Sequence, residues 1–261
     1  MKYLQSFCFF GLLLFAVQLQ AQSPYTLNWK KDGGLVALAG VSSGLGLYLR
    51  ANLPDLTVAD IETSDKNQIN SFDRFATKYY SPKADKASDV FWVGTHVFPF
   101  LFLAHEKSRK DIRTIAALYG ETFFITTGIT LLVKTTVKRN RPFVYNSDAP
   151  LAKKTTRNAR TAFFSGHTSI SATNTFFAAK VFTDYYPDSQ WKPVVWTTAA
   201  IIPAITGYLR IRAGKHFLTD TLTGYALGAA VGVLIPHLHK KKMEKVSFYS
   251  GPSGMLVQVR F

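Results

Sequence analysis

The sequence predicts an integral membrane protein, several long apolar segments joined by polar, mostly basic loops, and three observations predict it. Hydrophobic residues make up 47% of the 261, with 21 Phe, against 18% charged. The mean hydropathy is only +0.05, so sizeable polar loops must separate the apolar runs. The formal net charge of +15 asks for an anionic partner, either a phospholipid surface or a phosphorylated substrate. No nucleic acid is expected, because the basic residues are scattered between apolar segments and fit no recognition module. The only cysteine, Cys8, lies in the first apolar stretch, which leaves no disulfide framework or cysteine metal site in the rest of the chain.

Taken in order, residues 1–21 read as a signal peptide or an uncleaved anchor. Lys2 supplies a positive start, Phe7 to Val17 an apolar run, and Leu19-Gln20-Ala21 a cleavage site. Residues 22–87 form an N-terminal segment and polar loop. Within it the run from Gly33 to Leu49, rich in Gly and Ser, is just short of comfortable spanning length. Ser88-Asp89 reads as a helix N-cap opening the apolar segment Val90 to Ala104. Ile115 to Val133 is the next long apolar stretch, interrupted by Glu121. Loop 143–162 carries Lys153, Lys154, Arg157 and Arg160 against one acid, Asp148. Ile170 to Phe182 reads as a helix that Asn174 and Lys180 make a poor lipid-facing one. Val194 to Tyr208 and Leu222 to Leu238 are further apolar candidates. The tail 241–261 alternates weakly, most clearly over Met255 to Phe261, and reads as a short strand or as disordered.

Charge placement sets a topology. The basic stretches at 107–113 and 240–242 flank apolar segments and belong on the cytoplasmic side. Residues 134–167 and 209–220 then fall on the exported side. A leader removed after export starts the mature chain outside, and a spanning 33–49 run would invert everything downstream. The expectation is therefore a cleaved leader with 33–49 not fully spanning.

Three clusters on that exported side carry chemistry. Lys134 and Arg141 are seven residues apart, about two helical turns, and Pro142 ends helix at Arg141. Their neighbours Lys138, Arg139 and Asn140 fit side chains snorkelling at a membrane boundary. Ser165-Gly166-His167 precedes a helical run, where backbone N–H groups bind anions and glycine admits close approach. The histidine there can exchange a proton near neutral pH. Arg210, His216 and Asp220 form the third cluster, in which a carboxylate four residues on can fix the imidazole tautomer and leave the other nitrogen free to attack. Two or three cations, a glycine turn, two histidines and a carboxylate are what phosphoryl transfer through a phosphohistidine requires, with no metal and no cofactor.

The pattern Lys134-x6-Arg141-Pro142, Ser165-Gly166-His167, Arg210-x5-His216-x3-Asp220 resembles the three-part motif of the type 2 phosphatidic acid phosphatase family. Its superfamily includes class A bacterial acid phosphatases and vanadium haloperoxidases. The resemblance covers roughly residues 88–240. It implies an all-α fold, a membrane-embedded bundle of five to six long helices. It further implies that His216 is the phosphorylated nucleophile, Asp220 its partner and His167 the general acid, with Lys134, Arg141, Ser165, Gly166 and Arg210 holding phosphate. Phe164 stands where the family has proline and Leu209 where it has serine, which the reading assigns to loop shape and substrate fit.

The leading expectation is thus a membrane enzyme of the inner membrane, its site on the exported face, removing a terminal phosphate from a lipid. A lipid A phosphate, a prenyl pyrophosphate or a phosphatidyl phosphate would fit. The basic loop 143–162 is placed to meet the headgroup. Two alternatives stay open: a soluble exported acid phosphatase, favoured by Glu121, Asn174 and Lys180 inside helical runs, and a non-enzymatic membrane protein that only binds phosphate. Oligomeric state is not legible in the sequence.

Overall fold

The computed structural model describes residues 23–241, 246–251 and 254–259. The leader expected over 1–21, and Cys8 with it, lies outside the described residues. Six long helices dominate: α1 (Trp29–Ala51), α2 (Pro82–Thr95), α3 (Ile112–Val137), α4 (Gly166–Tyr185), α5 (Lys192–Arg212) and α6 (Leu218–His239). The tail adds an antiparallel hairpin of β1 (Val246–Gly251) and β2 (Gly254–Val259), with Val246 opposite Val259.

Three helix boundaries differ from the sequence reading. The run 33–49 was expected not to span fully, yet α1 has 23 residues, about 34 Å at 1.5 Å per residue. Its first turn is the polar stretch Trp29–Asp32, capped by the Asn28 side chain accepting from the backbone N–H groups of Lys30 and Lys31, with Asp32 at the positive helix end. The Ser88-Asp89 cap is likewise displaced. Ser81 caps α2 and Pro82 presets its first φ, so Ser88 and Asp89 lie inside the helix. They are polar because that face of α2 lines the site described below. Finally, α3 ends at Val137 with Lys138 in the left-handed region (φ 52°), so Arg141 does not share a helical face with Lys134.

Helices α1, α5 and α6, and the stretch Ile112–Tyr145 containing α3, are long and apolar enough to cross a membrane by length and composition. Large apolar side chains stand exposed on their flanks, among them Val36, Val41, Leu47, Ile201, Leu222 and Leu234. Helix α4 runs at the centre, packed by α6, α5, α3 and α2. Its polarity is internal. Asn174 accepts from Tyr119 (3.0 Å) and donates to Thr95 (3.1 Å), and the Thr175 hydroxyl donates to the Ala199 carbonyl (3.0 Å). Glu121, Asn174 and Lys180 all point into the bundle and are buried. They therefore say nothing against a lipid-facing exterior.

Helices α4 and α6 approach closely enough for their backbones to touch. Gly224, Gly228 and Gly232 repeat every four residues along α6 and bring its backbone against the carbonyls of Ser165, Ser169 and Thr173. This contact holds the start of α4 beside the start of α6. Alternating direction does the rest: α1, α3 and α5 end, and α2, α4 and α6 begin, at one end of the bundle. At the other end Lys107 Nζ donates to the Tyr185 carbonyl (2.6 Å), and Pro24 and Thr26 pair with Lys241 and His239 through backbone hydrogen bonds of 2.9 Å. The stretch 107–113 and, among the described residues, Lys240 and Lys241 thus lie at the end away from the three clusters.

Candidate active site

A cavity of about 350 Å³ opens at the end where the clusters meet. It is lined by Arg50, Lys134, Arg141, Arg210 and Lys215, by Asp85 and Asp89, and by Gly166, His167, His216, Asn158 and Thr161. Five cations face two carboxylates, so an anion is the natural guest. A larger cavity of about 470 Å³ lies behind Arg139, lined by Thr63, Ser64 and Tyr145 among others, and holds no histidine.

Four of the five cations are built into place. Lys134, in the last turn of α3, donates to the Thr161 carbonyl at 2.9 Å. Arg141 donates through Nε to the Asn158 carbonyl (2.8 Å) and through Nη2 to its side-chain oxygen (3.0 Å). Arg210, still helical at the end of α5, donates through Nη1 to Asp85 (2.7 Å) and Ser88 (3.2 Å). Lys215 completes the group with an ion pair to Asp85 at 3.0 Å. Burial works to raise the Asp85 carboxyl, but Arg210 and Lys215 outweigh it and hold the group below the usual carboxylate range. Two donors are left over. Arg141 Nη1 and Arg210 Nε are buried and have no hydrogen-bond partner among the described residues. An orphaned buried donor costs about 1–3 kcal/mol, more for a charged one, and an anion in the cavity is what would relieve it.

His216 sits just before α6, in the turn where Gly214 takes a left-handed φ of 69°. It is 1% exposed. Its Nδ1 lies 2.7 Å from the Ala162 carbonyl, which can only accept, so Nδ1 carries the proton and Nε2 keeps its lone pair. Burial first, then Lys134, Arg141 and Arg210, push this imidazole well below its ordinary range and keep it neutral. The expected His216–Asp220 hydrogen bond is not formed: Nδ1 and the carboxylate are 3.7 Å apart. The reason is competition. Asp220 accepts from the Phe217 backbone N–H (2.8 Å) and from Arg139 Nη1 (2.6 Å) instead, and the Ala162 carbonyl fixes the tautomer.

His167 occupies the first turn of α4, stacked near Trp92 with ring centroids 4.8 Å apart. Its Nε2 meets Asp89 at 2.8 Å. Burial, then the charge of Arg210, push it down to about 4, and Asp89 works against that shift. Gly166 lines the cavity, and a Cβ there would meet Thr130 at 3.3 Å and Lys134 at 3.6 Å. Ser165 does not fit the role expected of it. Its hydroxyl is fully buried, hydrogen-bonded to Thr168 Oγ1 (2.8 Å), and caps α4. Phe164 is 1% exposed and cannot touch a substrate; its place is in the core under the site. The basic loop 143–162 gives Asn158 and Thr161 to the cavity, while Arg157 pairs with Asp55.

Sequence reasoning missed the carboxylates. Asp85 and Asp89 are spaced i,i+4 one turn after Ser81-Pro82, a signal of one helix face that the misplaced cap obscured. Arg139, read as a snorkelling cation, bridges Asp220 and Asp73 (2.6 and 2.7 Å) and lies 4.1 Å over the Phe217 ring.

A family model described as the PAP2 superfamily matches residues 115–244. Among solved structures, the chain is similar to the first transmembrane PAP2 type phosphatidylglycerolphosphate phosphatase from Bacillus subtilis, at 20% identity and a TM-score of 0.46. That match covers 78% of this chain and 94% of that one. None of the curated proteins matches the chain.

Proposed function

The chain belongs to the PAP2 superfamily and is a phosphatase of that kind, and from that premise we propose that it releases a terminal phosphate from a membrane lipid through a phosphohistidine on His216. The observation that carries the reading is the pair of unpartnered buried guanidinium donors on Arg141 and Arg210, in a cavity that also presents Nε2 of a neutral histidine.

In this reading Arg141, Arg210, Lys134 and the backbone at Gly166 take the non-bridging oxygens. Nε2 of His216 attacks phosphorus and the P–O bond to the lipid alcohol breaks. His167, protonated once the substrate's phosphate anion offsets the burial and the neighbouring positive charges that lower it, gives its proton to the leaving oxygen. Water deprotonated by His167 then attacks phosphorus, the P–N bond breaks, and orthophosphate leaves with His216 neutral again. Asp220 acts on His216 by its charge at 3.7 Å and by holding the Phe217 backbone, without a hydrogen bond to the ring. A lipid substrate is favoured by the four apolar helices whose ends carry the site.

The basic stretches at the opposite end favour an exported site on the inner membrane. This orientation leaves residues 23–28 on the cytoplasmic side, which favours the anchor reading of residues 1–21 over the removed leader. The test is phosphate release by the full chain in detergent from lipid A, prenyl pyrophosphate, phosphatidate and phosphatidylglycerophosphate. A water-soluble short-chain form of the best substrate is then supplied outside intact spheroplasts. Turnover of at least one lipid, undiminished without permeabilisation, is expected. Turnover of soluble monoesters alone would sink the lipid reading, and turnover only after permeabilisation would reverse the orientation.

Asp89 offers a test of the acid. Because it is the group holding His167 upward, Asp89→Asn should move the descending, high-pH limb of kcat/KM to lower pH. An unmoved limb would mean that the leaving group takes its proton elsewhere.

A further inference from the structure

At the end of the bundle away from the cavity, three side chains from three helices converge: Asp32 in the first turn of α1, Glu121 in α3 and His239 in the last turn of α6. They take no part in the chemistry above. Glu121 is 13 residues from Lys134 along α3, about 20 Å, and His239 lies 19 residues beyond Asp220 along α6, about 28 Å. We propose that Asp32 Oδ1, Glu121 Oε2 and His239 Nε2 form a binding site for one divalent transition-metal ion, with Zn²⁺ as its best-fitting occupant, that ties α3 to the start of α1 and the end of α6.

The hydrogen bonds of His239 carry the argument. Its Nδ1 lies 2.8 Å from the Ile235 carbonyl, an acceptor only, so Nδ1 is the donor. Its Nε2 therefore turns to Asp32 Oδ1 at 2.8 Å and Glu121 Oε2 at 3.5 Å. A neutral ring would set a lone pair against two carboxylates. A protonated ring satisfies one of them, since a single N–H serves a single acceptor well. The other is left over: Glu121 Oε2 is buried with no hydrogen-bond partner among the described residues, and its side chain is only 6% exposed. Lys31 donates to the Leu238 carbonyl and makes no hydrogen bond to Glu121 Oε2, so it acts on that oxygen only through its charge. A dication resolves all three. Ligand atoms about 2.1 Å from a metal lie about 3.0–3.4 Å apart at right or tetrahedral angles, close to the two histidine–carboxylate spacings of 2.8 and 3.5 Å, and all three ligand atoms lie within 4.8 Å of one another.

The surroundings are those of a metal site as well. The Ile235 carbonyl fixes the tautomer of the histidine, and Asp32 Oδ2 accepts from the Asn28 backbone N–H at 2.8 Å, orienting its other oxygen inward. His239 is fully buried, covered by the strap that pairs Thr26 with its own carbonyl. One imidazole and two carboxylates favour Zn²⁺ over Mg²⁺, which prefers all-oxygen sites and keeps its water.

The experiment uses the full chain in detergent, stripped with a chelator and then equilibrated with Zn²⁺. Retention of about one Zn²⁺ per chain is expected, with an unfolding midpoint raised by about 5–10 °C at roughly 100 times Kd. Glu121→Gln should weaken that binding at least about tenfold. Asp32→Asn, at a partly exposed helix start, repeats the test should Glu121→Gln fold poorly. Absence of stoichiometric Zn²⁺ in the wild type, or equal retention in both variants, would overturn the site in favour of an imidazolium shared by two acids. Phosphate release by Glu121→Gln should stay at the wild-type level, since the residue is remote from the cavity.

Discussion

His216→Ala is expected to lower phosphate release by about 10⁴-fold or more, because it removes the atom that accepts the phosphoryl group. The size follows from how completely the fold is committed to that atom. Nδ1 is used up on the Ala162 carbonyl, so only Nε2 can attack, and burial, then the cations around it, keep the ring unprotonated. Truncation also leaves the Ala162 carbonyl without its donor, at about 1–3 kcal/mol. Activity must therefore be read on protein whose unfolding midpoint is measured alongside. His216→Asn, whose side-chain amide can donate to that carbonyl, should recover stability without recovering turnover. Rapid quench of the wild type with labelled substrate should trap an acid-labile, alkali-stable phosphoryl adduct that neither variant forms. Asp220→Asn should lose less than His216→Ala, because the ring keeps its backbone acceptor when the carboxylate is neutralised. A His216→Ala protein retaining more than about a tenth of wild-type turnover would sink the phosphohistidine reading.

The parts of this site that were legible in the sequence are those whose spacing is local. Ser165-Gly166-His167 must lie at one helix start, and Arg210, His216 and Asp220 must surround one turn, whatever the rest of the chain does. What pairs with them was not legible, because each partner arrives from a distant element. Asp85 reaches Arg210 across 125 residues and Asp89 reaches His167 across 78. Two local inferences failed through competition. Ser165 is spent as a helix cap, its buried hydroxyl accepting from the Thr168 backbone N–H and pairing with Thr168 Oγ1. Asp220 had four residues of helical spacing in its favour, but Arg139 and the Phe217 N–H outbid the imidazole. The all-α bundle was legible from its apolar runs. The extent of α1 was not, because its polar first turn reads as loop until the Asn28 cap is seen.

Gly228→Leu is expected to be the most damaging substitution outside the cavity, and it ties folding to catalysis. A Cβ at Gly228 would overlap the Ser169 carbonyl oxygen, with the carbonyl carbon at 2.8 Å and Ala172 Cβ at 3.0 Å. The two Ser169 atoms are backbone of a packed helix and the Ala172 Cβ is fixed to it, so none can swing aside and the helices must separate. Overpacking costs typically about 1–3 kcal/mol, and a collision with main chain belongs at or beyond the upper end. The consequence is not only lower stability. Helix α4 carries Gly166 and His167, whereas His216 and Asp220 precede and open α6, so separating α4 from α6 widens the gap between acid and nucleophile. Positioning errors of about 1 Å can cost about 10²-fold in rate. Gly228→Leu should therefore lose turnover even in the fraction that remains folded, and Gly228→Ala should show a weaker form of both effects. Gly40→Ala is the matched control: it lies in α1, where a Cβ meets nothing within 4 Å, and should be neutral or slightly stabilising. Equal unfolding midpoints for Gly228→Leu and Gly40→Ala would show that the α4–α6 contact does not set the geometry of the site.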